Sequence, residues 1–396
     1  MIAFTDRATA TADQPGVVEG RRPSPRRPHV GIVGGGQLAR MTAQAAVPLG
    51  IEVTVLDPDP AAPASGAGAR VRVGDPARLE HLVALARSVD VVTFDHELVP
   101  IDHVRALEEQ GFVVAPGAGV AELAFDKSVA RRRLAEAGFP VPRAVVATSP
   151  AEVVAAGARL GWPVVVKAVR GGYDGRGVAM VAGPTEARTA AELLGPEVVV
   201  EEHVDFDGEL AVMVARSRSG QIVCYPPVTT VQADGMCAEV VAPAAVSPRT
   251  EADARELAAG LADAFGLVGV MAVELFAVGE RLVVNEVATR PHNTAHLTIE
   301  AAETSQFAQH LRAVLDWPLG ATALRAPAAA MCNVVGPADG SDPADRLARA
   351  LEVPGAHVHL YGKAARPGRK LGHVTALGAT PEAALATARA AAARLS

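Results

Sequence analysis

A glycine-rich segment between two apolar runs combines positive charge with an acid and an aromatic ring. Lys167 stands near the end of the first run, and Tyr173, Asp174 and Arg176 precede the second run, which begins at Val178. The glycines among them are Gly171, Gly172, Gly175 and Gly177. Without a Cβ, such a backbone brings its N–H groups close to a phosphate, and the basic side chains add cations. The pattern predicts a β-hairpin whose tip binds phosphate; for this segment alone, a solvent-exposed hairpin is the alternative.

Two acidic residues lie in a second predicted hairpin, early in the last third of the chain. The apolar runs 269–276 and 281–287 carry Glu274 and Glu286, and Asn285 is adjacent. Pairing of the two runs would place both carboxylates on one face. Two carboxylates in an apolar sheet repel each other unless a cation lies between them, and Mg²⁺ binds carboxylates together with phosphate oxygens. The hairpin therefore predicts a magnesium–nucleotide site, with two solvent-facing glutamates as the alternative.

Two further segments are rich in polar side chains that suit a second substrate. We call residues 289–296 the substrate clamp and residues 363–373 the basic loop. The clamp carries Arg290, His292, Asn293 and His296, and the basic loop carries Lys363, Arg366, Arg369, Lys370 and His373. Cations around glycines are typical of anion sites. A solvated basic loop is the alternative for residues 363–373 alone.

The N-terminal part alternates strands and helices. Residues 29–33, 51–56 and 89–94 predict strands, and 37–49 predicts a helix, so a parallel sheet is expected. The turn from Gly34 to Gly36, with Ala39 and Asp57 downstream, matches part of a dinucleotide-binding fingerprint. Such a turn at a helix N-terminus also suits a ribose 5′-phosphate. The alternative is that the glycines only close a tight turn.

A predicted strand over residues 198–204 runs into Glu201 and Glu202. The end of a strand beside a hinge could bind adenine through backbone groups and ribose through an acid. An exposed strand end is the alternative. Much earlier in the chain, Asp126 is positioned to cap a helix that begins near Lys127.

Composition narrows the class of protein. The chain has 396 residues, enough for about two to four domains. Its net charge of −7 gives little support to nucleic-acid binding. Three scattered cysteines fit a reducing, cytoplasmic setting, and no apolar run approaches the roughly 20 residues that span a bilayer. Residues 1–28, rich in proline and arginine, predict a disordered extension.

Taken together, longer motifs resemble the ATP-grasp superfamily, and more closely the N5-carboxyaminoimidazole ribonucleotide synthetase family of purine biosynthesis. The resemblance runs from about His29 to near His373. Its motifs are Gly34-Gly-Gly-Gln-Leu38, Gly171-Gly-Tyr-Asp-Gly-Arg-Gly177, Asn285-Glu286 with Arg290-Pro-His-Asn293, Ser305-Gln-Phe with His310-Leu-Arg-Ala, and Arg366-Pro-Gly-Arg-Lys-Leu-Gly-His373.

The resemblance implies an α/β fold, α+β overall, in three parts after the N-terminal tail. The first is a Rossmann-like domain of the biotin-carboxylase type over residues 29–125. The second is an ATP-grasp domain over 126–318, with a lid subdomain over about 145–205. The third is a small barrel-like domain over 319–396.

The resemblance also implies binding roles, position by position. For ATP, the implied residues are Lys127, Lys167, Gly172, Tyr173, Asp174, Gly175, Arg176, Gly177, Val178, Glu201, Glu202, His203, Val204, Glu209, Gln232, Asn285 and Glu286. For Mg²⁺ they are Glu274 and Glu286. For the ribonucleotide they are Gln37, Leu38, Glu97, Arg290, His292, Asn293, Lys363, Arg366, Arg369 and Lys370. The implied catalytic residues are Tyr173, Asp174, Arg176 and Lys370, and the first three would lie over bicarbonate.

The implied reaction is the carboxylation of 5-aminoimidazole ribonucleotide with bicarbonate and ATP, through carboxyphosphate, in a homodimeric enzyme. One alternative is a formate-dependent transformylase acting on glycinamide ribonucleotide. Another is an NAD(P)-dependent oxidoreductase, and a third is an inactive binding module that kept the fold. The sequence departs from the family pattern at Lys127, where arginine is common, and at Gln232, where histidine is expected. Ala295 and Leu297 replace an expected glycine and aromatic residue.

Overall fold

A four-stranded parallel sheet forms the N-terminal part of the chain. The computed structural model describes residues 27–172, 177–233 and 235–396. The strands are β1 (His29–Val33), β2 (Glu52–Asp57), β3 (Arg70–Val73) and β4 (Val91–Phe94), in the order β3-β2-β1-β4. The helices are α1 (Gln37–Ala46), α2 (Leu79–Ala86), α3 (Ile101–Glu109) and α4 (Ala118–Phe125), and Val47–Leu49 and Pro63–Ala67 form 3-10 turns. The predicted parallel sheet is confirmed, and the edge strand β3 is an addition to it.

The glycine turn before α1 binds carboxylates of its own chain. Gly36 N donates to Asp95 Oδ2 at 2.6 Å, and Ala39 N donates to Asp95 Oδ1 at 2.9 Å. Gly35 N donates to Asp57 Oδ2 at 2.8 Å. A Cβ at Gly36 would collide with the Asp95 carboxylate, which explains the glycine there. Asp57 and Asp95 thus hold the N–H groups of Gly35, Gly36 and Ala39, which favours the alternative that these glycines close a tight turn.

An antiparallel sheet, which we call the lid sheet, carries the glycine-rich hairpin. Its strands are β5 (Ala144–Ala147), β6 (Val164–Ala168), β7 (Val178–Val181) and β8 (Val198–Glu202), in the order β5-β8-β6-β7. Helices α6 (Pro150–Leu160) and α7 (Pro184–Leu194) cover one face, and α5 (Lys127–Glu136) precedes the sheet. The predicted hairpin is confirmed, since Lys167 pairs with Val178. The predicted cap of α5 is also confirmed, because Asp126 accepts hydrogen bonds from Ser128 N and Val129 N.

A nine-stranded sheet, the central sheet, joins the middle of the chain to its C-terminal part. Its strands are β9 (Gly208–Arg216), β10 (Ile222–Cys224), β11 (Val228–Ala233), β12 (Met236–Ala242), β13 (Gly269–Val278), β14 (Arg281–Ala288), β15 (Ala328–Val335), β16 (Ala356–Leu360) and β17 (Lys370–Gly378). The order is β14-β13-β9-β11-β12-β15-β17-β16, and β10 pairs with β9. Hydrogen bonds between β12 and β15 thus make the C-terminal strands a continuation of the sheet.

Helices on the central sheet complete the core. They are α8 (Pro248–Ala264), α9 (Thr298–Ala301), α10 (Gln306–Val314), α11 (Leu347–Ala350) and α12 (Pro381–Ala393), with 3-10 turns at Asn293–Ala295 and Pro343–Arg346. The largest apolar cluster packs α8 against β9, β13 and β14. Within the described ranges, none of the helices has the length and apolar character that crossing a membrane requires.

A buried histidine links the N-terminal sheet to α10. His310 Nε2 lies 2.9 Å from Thr93 Oγ1 on β4, and the other ring nitrogen has no hydrogen-bond partner in the described part of the chain. Burial lowers the pKa of His310 to about 4, because the charged form cannot be solvated there. Burial also lowers the pKa values of His296 and His373 well below the ordinary range.

Because of these buried histidines, we expect the free energy of unfolding to decrease at acidic pH. A histidine whose pKa is lower in the folded state stabilises the fold above its unfolded pKa of 6.5, and this stabilisation is lost as the pH falls toward the folded value. For His310 alone, the loss between pH 6.5 and 4 should reach about 3 kcal/mol. Urea unfolding across this range measures it. The pH dependence should be weaker in His310→Gln, and an identical dependence in that variant would contradict the assignment.

Candidate active site

The two glutamates of the second hairpin face each other. Glu274 on β13 pairs directly with Glu286 on β14, so their side chains lie on the same face, as predicted. The register then shifts, because Leu275 pairs with Val284 and Asn285 is left as an extra residue in β14. Such a bulge re-aims side chains. It explains how Asn285 and Glu286, although consecutive, both line the same cavity.

The two carboxylates have opposite pKa shifts. Burial, together with the negative charges of Glu286 and Glu209, raises the pKa of Glu274 to about 7. Burial also opposes ionisation of Glu286, but the positive charges of Lys127, Lys167 and Arg131 together outweigh it and lower the pKa; Lys127 Nζ lies 2.6 Å from Glu286 Oε1. The pair thus carries negative charge that a divalent cation would balance. Both side chains stay partly open, with 30% of Glu274 and 44% of Glu286 exposed.

The donor set fits Mg²⁺ in particular. The described residues include no group of three or more histidine, cysteine or acidic side chains arranged to hold a metal. A cation held by Glu274 and Glu286 would therefore take its other ligands from water or from a bound molecule. Mg²⁺ is the ion that commonly binds through one or two carboxylates plus phosphate oxygens.

A buried ion network connects the lid sheet to β14. Glu201, only 2% exposed, lies 2.8 Å from Lys167 Nζ and 2.6 Å from Arg131 Nη2. Arg131 also donates to the backbone oxygens of Val284 and Asn285, at 3.0 and 2.8 Å. Burial opposes ionisation of Glu201, but the two cations outweigh it and lower its pKa. Arg131 thus joins α5, β8 and β14 at one point.

Arg131 is the residue that sequence reasoning missed in this network. It is the first of three consecutive arginines, and it is buried. In the sequence, only its spacing from Lys127 indicates this role. Arg131 follows Lys127 by four residues on α5, so the two cationic side chains lie on the same face of the helix. They line one cavity with Lys167, Asn285 and Glu286, and apolar side chains of α4 and α5 form its back.

The inner face of the lid sheet offers apolar surface beside this cavity. The register places Val178 and Met180 on the same face as Lys167. They are 42% and 67% exposed, which is unusual for apolar strand residues and suits the packing of a flat base. Among the predicted residues nearby, Gly172 and Gly177 are half-buried at the ends of the hairpin tip. Tyr173, Asp174, Gly175 and Arg176 lie outside the described residues.

The end of β8 and the start of β9 hold the remaining predicted ATP residues. Glu202 Oε2 binds Arg143 Nε at 2.6 Å, so this carboxylate is engaged at the lid, whereas His203 is exposed and Val204 half-buried. Burial raises the pKa of Glu209, and a hydrogen bond from Gln232 counteracts this.

A stacked aromatic pair beside Glu209 was not predicted. The rings of Phe206 and Phe276 lie parallel, with their centroids 4.5 Å apart, and Phe276 pairs with Glu209 in the sheet register. Phe206 is 40% exposed. The pair therefore adds a flat apolar surface next to an acid.

The predicted ribonucleotide residues come together where the N-terminal sheet meets the central sheet. Arg290 forms an ion pair with Glu97: Nη2 donates a hydrogen bond to Oε2 at 3.0 Å, and Nε lies 2.8 Å from Oε1. His292 Nε2 lies 3.7 Å from Glu274 Oε1. The amides of Asn293 and Asn333 on β15 donate to each other, at 2.9 and 2.7 Å.

The basic loop reaches the same region. Lys363 Nζ donates to Gln37 Oε1 at the start of α1, and Lys370 is buried at the start of β17. Arg369 is half-buried and donates to Ala364 O at 3.1 Å, whereas Arg366 is exposed. Leu38 was predicted to contact the ribonucleotide, but in the structure its side chain packs in an apolar cluster. Only its backbone remains available to a ligand.

Family models match three consecutive parts of the chain. A ribonucleotide synthetase preATP-grasp domain matches residues 28–124, and an ATP-grasp domain matches residues 132–307. A phosphoribosylaminoimidazole carboxylase C-terminal domain matches residues 329–387.

Curated relatives are similar over most of their length. The N5-carboxyaminoimidazole ribonucleotide synthase of Mycobacterium tuberculosis strain H37Rv is 49% identical over 361 residues, covering 89% of this chain and 84% of that protein. The synthase of Corynebacterium ammoniagenes is 41% identical over 383 residues, covering 93% and 92%.

Solved structures with a similar fold carry the same enzyme name as the curated relatives. The Aspergillus clavatus synthase, in complex with ADP and 5-aminoimidazole ribonucleotide, superposes with a TM-score of 0.86 at 33% identity, covering 93% of this chain and 98% of that one. The Thermus thermophilus enzyme gives a TM-score of 0.82 at 38% identity, covering 92% and 97%. The chain therefore belongs to the N5-carboxyaminoimidazole ribonucleotide synthase family of ATP-grasp ligases.

Proposed function

We propose that the protein carboxylates 5-aminoimidazole ribonucleotide, using ATP and bicarbonate, and releases ADP and phosphate. The observation that carries this proposal is the direct pairing of Glu274 with Glu286 beside Lys127 and Lys167. The two carboxylates would hold a cation, and the two lysines place positive charge beside them. The M. tuberculosis and A. clavatus relatives support the choice of substrate, since both are named for the product of this reaction.

The chemistry requires activation of bicarbonate. Bicarbonate is a poor electrophile because its leaving group would be hydroxide. Transfer of the γ-phosphoryl group of ATP to a bicarbonate oxygen gives carboxyphosphate and ADP. The exocyclic amine of the ribonucleotide then forms a C–N bond to the carboxyl carbon, phosphate leaves with the electrons of the C–O bond, and the proton lost by the amine passes to that phosphate. Lys127 and Lys167 would neutralise negative charge on the transferring group.

Glu274 and Glu286 would hold Mg²⁺ in this proposal. When bound, Mg²⁺ neutralises charge on the phosphate oxygens of the nucleotide. The raised pKa of Glu274 supports this role, because the carboxylate is destabilised by its neighbours until a cation is present. His292, beside Glu274, would connect this site to the substrate clamp.

ATP would bind between the lid sheet and the central sheet. The base would pack on Val178 and Met180 and on the ring of Phe276, and backbone groups of Glu202, His203 and Val204 would bind its edge. Glu209, with Gln232, would accept hydrogen bonds from the ribose, and Asn285 would lie beside the phosphates. The N–H groups of Gly172, Gly175 and Gly177 would cradle the phosphates.

The ribonucleotide would bind across the clamp, the basic loop and the end of β4. Arg366, Arg369 and Lys363 would bind its phosphate, while Gln37, Glu97, Arg290 and Asn293 would orient the sugar and base, together with the backbone of Leu38. Lys370 would lie at the reacting carboxyl group. Tyr173, Asp174 and Arg176 would close over carboxyphosphate and exclude water, since this intermediate hydrolyses readily.

Two alternatives lose support. The oxidoreductase hypothesis needs the glycine turn for a dinucleotide, yet Asp57 and Asp95 hold its N–H groups. The transformylase hypothesis shares the metal pair, but the relatives favour the carboxylase. We also propose a homodimer and a cytoplasmic location, as the family resemblance and the cysteine content suggest.

Substrate dependence of ADP release tests the function directly. With ATP and Mg²⁺ present, ADP should form only when 5-aminoimidazole ribonucleotide and bicarbonate are both supplied. Release that instead requires formate and glycinamide ribonucleotide would overturn the proposal in favour of the transformylase.

Removal of one carboxylate tests the metal pair. Glu286→Gln keeps the size of the side chain but removes a charge, so kcat should fall by about 100-fold or more. The circular dichroism spectrum should be unchanged. Glu280→Gln is a matched control, because Glu280 is exposed in the turn of the same hairpin. Full activity of Glu286→Gln would refute the metal assignment.

Neutralising the basic loop tests the ribonucleotide site. Arg369→Gln should raise the KM for 5-aminoimidazole ribonucleotide about tenfold or more, since a charge-assisted hydrogen bond is lost. The KM for ATP should not change. Arg72→Gln, an exposed arginine on β3, serves as the control. A rise in the KM for ATP alone would show that the loop was assigned to the wrong substrate.

A further inference from the structure

One glutamine amide holds the backbone of the substrate clamp. His292 N donates to Gln306 Oε1 at 2.7 Å, and Gln306 Nε2 donates to His292 O at 2.8 Å. A backbone N–H can only donate, so the amide atom that faces it must be the oxygen. The orientation of the Gln306 amide is thus fixed by the chain itself. Gln306 is fully buried at the start of α10.

This orientation determines the tautomer of a buried histidine. The NH₂ group of Gln306 also lies 2.9 Å from His296 Nδ1. Because an amide NH₂ group can only donate, Nδ1 must be an acceptor and carry no proton. A neutral His296 therefore carries its proton on Nε2. Protonation of both nitrogens would set an N–H group against the amide NH₂.

The surroundings of His296 keep it neutral. It is fully buried, and burial lowers its pKa well below the ordinary range, helped by nearby His292, Lys370, His359 and Arg290. His373 is also buried, with its ring 5.1 Å away, and its own pKa is lowered by burial. The acid on this side, Glu300, binds His359 Nε2 at 2.6 Å.

We propose that His296 is a positioning residue for the ribonucleotide clamp, because its unprotonated Nδ1 accepts the second N–H of Gln306 and so holds in place the amide that binds the backbone of His292, next to Asn293. The proposal rests on the function proposed above. It adds a residue whose ring acts through Gln306 and not by touching substrate. A displacement of about 1 Å in a group that orients substrate can cost up to about a hundredfold in rate or affinity.

Nitrogen-15 NMR of the histidine rings tests the tautomer. The His296 signals are assigned as those missing from the spectrum of His296→Asn. At pH 7, Nδ1 should be unprotonated and Nε2 protonated. A charged ring or an Nδ1–H tautomer would overturn the inference, whatever the enzyme's activity.

Steady-state kinetics test the positioning role. His296→Leu, which removes the acceptor, should raise the KM for 5-aminoimidazole ribonucleotide about tenfold or more and leave the KM for ATP within about twofold. His296→Asn, whose amide oxygen can replace Nδ1, should restore most of the affinity. Equal changes in both KM values, or failure of Asn to perform better than Leu, would refute the role.

Two further variants separate positioning from folding. Gln306→Leu removes both hydrogen bonds of the amide and should raise the same KM; an unchanged KM in this variant would contradict the network. His310→Leu removes a different buried histidine, which lies on α10, and should change neither the KM for 5-aminoimidazole ribonucleotide nor the KM for ATP. If the wild-type protein shows no turnover that depends on 5-aminoimidazole ribonucleotide, the proposed function fails, while the tautomer result stands.

Discussion

Two carboxylates that face each other across a pair of apolar strands must either share a cation or give up a charge. Glu274 and Glu286 are in this position, and the chain has only partly resolved the conflict. Lys127 stabilises the charge on Glu286, whereas burial and the neighbouring acids raise the pKa of Glu274 to about 7. A divalent cation would compete with the proton on Glu274. In the proposed function, the surrounding lysines and the glycine-rich hairpin would bring phosphate oxygens to that cation.

Buried polar contacts hold the three sheets around this point. Arg131 binds Glu201 of the lid sheet and two backbone carbonyl groups of β14. One side chain therefore connects the lid sheet to the strand that carries Glu286. Arg290, just beyond β14, binds Glu97 beyond β4. Because removal of either partner would leave a buried charge unpaired, these links fix geometry more than they add stability. The nucleotide site and the clamp are therefore both built outward from β14.

Much of this arrangement was predictable from the sequence, because strong periodic patterns and turn residues mark it. The bounds of α6 and β7, the cap at Asp126 and the β13–β14 hairpin all follow from such signals. Strands β3 and β11 were not predicted, because their segments, Arg-Val-Arg-Val and Val-Thr-Thr-Val-Gln-Ala, lack a continuous apolar run. The bulge at Asn285 depends on register, which one strand's sequence cannot reveal. The hydrogen bonds from Gly36 and Ala39 to Asp95 could not be predicted either, because Asp95 is distant from the turn in sequence.

The most direct measurement is a crystal structure with ADP and Mn²⁺ in place of Mg²⁺, with the metal located by anomalous scattering. The peak should lie between the Glu274 and Glu286 carboxylates, with nucleotide phosphate oxygens completing its coordination. Bound nucleotide whose metal contacts neither glutamate would contradict the assignment of this hairpin as the centre of the site.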